Sequence, residues 1–199
     1  MISGVPAILC QSGLVILFLT GWFSDVRHSF GVPARVAAGA VLVSLLLTAL
    51  DPVSPFPGVA LHPGLLVPFL GWMTALLRDR RDISGLLQAG FFIGGMQVVM
   101  FGTVPQGGER EWLGGLAVIA VSRLLFRDWR KQLATTSGAI FVSEAWRLLI
   151  HRESLSPLPV VSPEFLDRFW LAWFIVFVLH ETEEALRALL SGKKRTGSL

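Results

Sequence analysis

The sequence predicts an all-α fold: a polytopic transmembrane helix bundle of about seven spans, N-terminus out and C-terminus in. Three observations carry this expectation. Hydrophobic residues make up 53% of the 199 and charged residues only 16%, where a soluble domain carries about 25% charged. The apolar residues gather in runs near the roughly 20 residues that a spanning helix needs. Lysines and arginines punctuate those runs on alternate sides. With a mean hydropathy of +0.63, a water-soluble globule of this size has too little polar surface to cover its apolar area. That excludes a soluble enzyme, a disordered chain, a coiled coil and a nucleic-acid module. The net charge of +3 therefore reports topology, and no nucleic-acid partner is expected. Cys10 is the single cysteine, so neither an intrachain disulfide nor a Cys-based metal site is available. The first basic residue is Arg27, which leaves no positive n-region for a signal peptide.

The elements follow in order. The first span lies around Gly4 to Phe23. The second is the dense run Val36 to Leu50, which Val32 to Ala34 extend, and the proline-rich DPVSPFP ends it, because proline lacks an N–H and disfavours helix just before it. The third runs from about Gly58 to Leu77 and contains Pro63 and Pro68, which are tolerated in membrane helices and would kink it. Arg78-Asp-Arg-Arg-Asp82 closes it. The fourth occupies the uncharged stretch Ile83 to Gly108, up to GTVPQGG and Glu109-Arg-Glu111. Trp112 to Phe126 is the short fifth span. Leu133 to Ile150 is the sixth and carries Glu144 and Arg147. Phe165 to Leu179 is the seventh and the most aromatic, and it runs into His180-Glu-Thr-Glu-Glu184.

Basic residues arbitrate the count. With seven spans, one side holds Arg27, Arg35, Arg78, Arg80, Arg81, Arg123, Arg127, Arg130, Lys131, Arg187, Lys193, Lys194 and Arg195. The other holds only Arg110, Arg147, Arg152 and Arg168. Dropping the two weakest spans balances the sides and specifies nothing, so the positive-inside rule favours seven. Six, with Trp112–Phe126 or Leu133–Ile150 re-entrant, is the alternative. Residues 1–190 then form one transmembrane domain and 191–199 a short basic cytoplasmic tail.

Few residues are candidates for chemistry. Glu144 lies inside a predicted span, where an ionisable group is costly and faces the bundle interior. Arg147 follows at i+3 on the same face. The pair either lines a solute or proton path, or sits near the outer mouth and pins its helix to a neighbour, with Arg147 snorkelling outward. His180 with Glu181, Glu183 and Glu184 has metal-ligand spacing, but H-E-x-x-E lacks the second histidine of the zinc-peptidase motif. Glu183-Glu184-Ala-Leu-Arg187 resembles the Glu-Glu-x-x-x-Arg motif of CAAX-protease-like membrane peptidases, one residue short. That shortfall rotates Arg187 about 100° on the helix. Thr135-Thr136-Ser137-Gly138 resembles the G-x-S-G of rhomboid-type proteases without its leading glycine. The bland reading is a solvated helix end for 180–184, with Glu183 and Arg187 as an i,i+4 pair, and interhelical hydrogen bonds for the serine and threonines.

Gly90 and Gly94 form a G-x-x-x-G that permits close helix approach, within the chain before between chains. Gln11, Gln88 and Gln97 could line a polar path. Phe165, Phe169, Trp173 and Phe177 recur every four residues as a packing stripe, and Trp22, Trp72, Trp112, Trp129 and Trp146 fall where interfacial belt residues belong. His62 and His151 lie near outer ends without an evident partner.

From Trp112 to Ile150, a short hydrophobic span, the basic turn Arg127-Asp-Trp-Arg-Lys131 and a helix carrying Gly138 and Glu144 together resemble the YphA-like small bacterial membrane proteins. The resemblance implies a bacterial membrane protein and brings no assigned chemistry. The reading is thus a cell-membrane protein that is not an enzyme, with neither cofactor nor metal. It would act as an accessory or scaffold in the lipid bilayer through another membrane protein. The alternatives are a small-solute or ion transporter using Glu144 and Arg147, and an intramembrane enzyme using His180 and Glu184.

Overall fold

The computed structural model describes residues 4–22, 32–56, 59–101, 109–152 and 158–190. The connection around Arg27, the GTVPQGG turn and the basic tail 191–199 lie outside the described residues. Within them the chain forms seven helices: α1 (Val5–Leu19), α2 (Ala34–Thr48), α3 (Leu66–Arg78), α4 (Ile83–Phe101), α5 (Glu109–Leu125), α6 (Trp129–His151) and α7 (Pro163–Leu190). Each overlaps one of the expected helical runs, with α3 starting later and α7 ending later than expected. Two links add short strands: β1 (Val53–Phe56) and β2 (Val59–Leu61) between α2 and α3, and β3 (Leu158–Pro159) before α7. β2 pairs antiparallel with β1 and parallel with β3.

Local chemistry sets the helix starts. Asp128 caps α6, its Oδ1 accepting from Arg130 N at 3.0 Å. Ser162 caps α7, its Oγ accepting from Phe165 N at 3.1 Å, and Pro163 takes the first helical position, where no N–H is needed. The third span departs from expectation. Val59–Leu61 is strand, and a 3-10 turn at Pro63–Leu65 leads into α3. His62 caps that turn, its Nδ1 accepting from Gly64 N at 3.1 Å. Pro63 thus opens the helical segment and Pro68 lies in the first turn of α3, so neither kinks an interior.

Helix directions alternate. Gly4 and Ala7 of α1 bond to Asp167, Gly13 lies against Phe174 and Phe18 against Phe177, so α1 and α7 are parallel. Gly90 lies against Gly138 and Gly94 against Val142, so α4 and α6 are parallel. Trp72 Nε1 donates to Ala134 O while Phe69 meets Phe141, so α3 opposes α6. Ser137 meets Trp173 and Phe141 meets Phe165, so α7 opposes it too. One end of the bundle carries the sheet. The other, here the basic end, carries Arg35, Arg78, Arg80, Arg81, Arg123, Arg127, Arg130, Lys131 and Arg187, whereas the sheet end has Arg110, Arg147, Arg152 and Arg168.

α6 is the hub: every residue from Gln132 to Ile140 is buried. Phe165, Phe169 and Phe177 of the aromatic stripe are at most 2% exposed and form the core with it. Of the expected belt residues, Trp129 is core instead and Trp72 is half-buried against the core. Trp72 stacks on Phe141 at 5.0 Å, and Trp129 is 7% exposed, packed on Phe177 and His180. Trp22 and Trp146 are exposed at helix ends. Among the described residues one helix, over Ile83–Met100, is by itself long and apolar enough to cross a membrane. Val5–Leu19, Ala34–Thr48, Pro63–Arg78 and Leu113–Leu125 are apolar but shorter.

Candidate functional site

The densest buried charge lies at the sheet end, where α6 meets the start of α7. Glu144 is 3% exposed. Arg147, one turn on, grips both of its oxygens: Nη2 donates to Oε1 at 2.6 Å and Nε to Oε2 at 3.1 Å. Arg168 of α7 donates from Nη2 to Oε2 at 3.1 Å, and Ser162 N donates to Oε1 at 3.4 Å. One carboxylate thus collects a bidentate guanidinium, a second guanidinium and a backbone N–H, the strong kind of charge-assisted contact. The site ties α6, the α7 cap and α7 together. Arg147 turns back onto Glu144 with its side chain 14% exposed. The desolvated carboxylate beside it attracts the guanidinium more than the surface does.

Next to this cluster, Asp167 points the other way. Its Oδ2 accepts from Gly4 N at 2.8 Å and its Oδ1 from Ala7 N at 2.7 Å. These are N–H groups at the start of α1 that have no partner within that helix, and a carboxylate there also complements the helix dipole. Neither Asp167 nor Arg168 stands out in the sequence beyond being two charges inside an aromatic run. That placement is the one signal that could have flagged them.

The other candidates part company. His180 stacks on Trp129 at 4.8 Å, and α7 continues past it to Leu190, so His180 is not at a helix end. Glu183 pairs with Arg123 and, at 3.9 Å, with Arg187, and Glu184 pairs with Arg187 at 2.9 Å. Among the described residues no group of three or more His, Cys, Asp or Glu is placed to hold a metal ion. Ser137 Oγ accepts from Trp173 Nε1 at 2.9 Å. Gln11 Nε2 donates to Ser44 and Thr48 at 3.3 Å. At Gly94 an added Cβ would lie 2.6 Å from Ala139 O, and at Gly90 3.4 Å from the Gly138 backbone, so both glycines serve the α4–α6 seam.

His62, in the α2–α3 link, is 6% exposed. Burial holds its imidazole below the ordinary histidine range, and the Asp51 carboxylate opposes that in part. Comparison of the chain with protein-family models, curated proteins and solved structures returned no match.

Proposed function

We propose that this chain is a multi-pass protein of the cell membrane, its seven helices crossing with the N-terminus out and the C-terminus in. It acts without catalysis, as an accessory or scaffold protein, through another membrane protein. The observation that carries this reading is an inverted distribution of polarity. Leu9, Leu46, Phe92, Val99 and Leu124 are 67%, 63%, 68%, 85% and 87% exposed, while Gln11, Ser44, Ser122, Thr135, Thr136 and Ser137 are 0% exposed. Water penalises such an outer surface by about 25 cal/mol per Å². Hydrocarbon does not, and it rewards buried hydroxyls and amides that bond between helices. The crowding of basic side chains at one end supports the orientation. α1 and α2, at 15 residues each, are about 22 Å long, and local thinning of the bilayer accommodates short helices. The non-catalytic part draws support from Glu144, Ser137 and Glu184, whose polar atoms are engaged by Arg147, Trp173 and Arg187. The resemblance to YphA-like proteins implies the same class.

Cysteine accessibility tests the reading. In a Cys10→Ser background, Arg80→Cys should resist a membrane-impermeant thiol reagent in intact cells and label after lysis, and Pro55→Cys should label in intact cells. The opposite pattern would invert the chain. Labelling of Lys193→Cys from outside, with position 80 protected, would mean an even number of spans. A co-purifying membrane partner is the expected counterpart, and a partnerless monomer with solute flux would overturn the accessory role.

A further inference from the structure

This inference rests on the membrane reading and adds a ligand to it. Between α1, α2, α3 and α7 lies a cavity of about 250 Å³ whose lining is almost wholly apolar. Phe169, Trp170 and Trp173 of α7 are among its lining residues, and Ala37, Ala40 and Gly71 line it with little bulk. Its lining residues Ala40 and Leu70 are exposed on the outer surface, so the cavity opens where lipid tails would lie. From Val67 to Thr74 it follows α3 for roughly 10 Å at 1.5 Å per residue.

The end of that path is cationic. Gly71 and Thr74 line the cavity, and Arg78 follows at i+7 and i+4, the same helix face. Arg80 and Arg81 come next in the turn, and all three arginines are exposed. The acids of that turn are engaged: Lys131 pairs with Asp82 and, at 3.4 Å, with Asp79. Arg78, Arg80 and Arg81 make no ion pair among the described residues. Arg78 also borders a polar cavity of about 180 Å³ that it shares with Asp79, Asp128, Arg130 and Lys131, two acids against three bases. An apolar slot that leads to uncompensated guanidiniums matches a hydrocarbon chain with a phosphate at its end, since guanidinium meets phosphate oxygens in a bidentate fork. We propose that this cavity holds an acyl chain of an anionic phospholipid of the cytoplasmic leaflet, its phosphate on the Arg78–Arg81 turn.

The full chain, reconstituted in phosphatidylcholine nanodiscs with phosphatidylglycerol carrying a photoactivatable diazirine in its acyl chain, tests this. Labelled peptides should concentrate in 66–78 and 165–178 and exceed those from the exposed face of α4. The same diazirine on phosphatidylcholine should label them less. Arg78→Gln should lower phosphatidylglycerol labelling about fivefold, which corresponds to the about 1 kcal/mol a basic residue contributes at an anionic surface. The position-55 cysteine shows that this variant keeps its topology. Ala40→Phe should block labelling by filling the mouth, and Thr74→Phe serves if that variant does not fold. Equal labelling of α4 and the cavity, or equal labelling by the two lipids, would overturn the proposal and leave the membrane reading standing. Failure of the chain to enter nanodiscs at all would instead overturn the membrane reading.

Discussion

Replacing Glu144 with glutamine removes one negative charge from between two guanidiniums and leaves the shape intact. The side chains of Glu144, Arg147 and Arg168 are 4%, 14% and 17% exposed, so neither arginine recovers full hydration. Breaking a buried pair by neutralising one partner costs about 3–5 kcal/mol. Because the arginines keep some contact with the surface, the lower end applies, about 3 kcal/mol. For a chain of this length that corresponds to a fall of roughly 6–12 °C in melting temperature. Arg168→Met leaves the bidentate Arg147 in place and should cost less, about 1.5 kcal/mol. The triple variant Glu144→Leu, Arg147→Met, Arg168→Met carries no stranded charge and should regain most of the loss. The assay is thermal unfolding in one mild detergent, followed by tryptophan fluorescence and near-UV circular dichroism. A Glu144→Gln protein melting within about 1 °C of the parent would refute the reasoning, because such a burial penalty cannot be hidden on this scale. Unchanged melting with loss of a solute flux would return Glu144 to the role of path-lining residue.

Gly94→Ala places a methyl 2.6 Å from Ala139 O and 2.9 Å from Val142 Cβ, so α4 must move and stability should drop by about 1–3 kcal/mol. Gly85→Ala meets nothing within 4 Å and should be neutral or gain up to about 1 kcal/mol; equal losses at both sites would contradict the seam. Asp167→Asn keeps the shape but offers one oxygen to two N–H groups, and should cost about 1 kcal/mol with faster hydrogen exchange at the Ala7 amide. Unaltered exchange there would remove Asp167 as the α1 cap. Burial holds the His62 imidazole below the ordinary histidine value of 6.5, so as pH falls below that value the unfolded chain takes up the proton first. The unfolded state then binds more protons, so stability is full above about pH 6.5 and declines as pH falls toward the folded value. His62→Asn should flatten the melting temperature between pH 7.5 and 5, and an unchanged slope would assign the acid sensitivity to other groups.

The sequence by itself determined that there are seven helical runs among the described residues and where most of them begin. Apolar runs, prolines and charged turns act on their own neighbourhood, so DPVSPFP stops α2, Arg78–Asp82 separates α3 from α4, and Asp128 starts α6 without help from distant residues. The alternation of basic turns was legible for the same reason, since each turn carries its charge locally. Tertiary structure decided what depends on segments far apart in the chain. β3 joins β1 and β2 across about a hundred residues, and two-residue strands leave no periodic trace. Trp72 and Trp129 looked interfacial because both occur close to charged turns, and only the packing of Trp129 on α7 and of Trp72 on α6 draws them toward the core. Glu144 was conspicuous as a charge in an apolar run, yet its second arginine lies 24 residues away and its backbone donor belongs to a helix cap. Asp167 finds its partners 160 and 163 residues away. A buried charge must be compensated wherever the fold allows, and spacing along the chain does not say where that is.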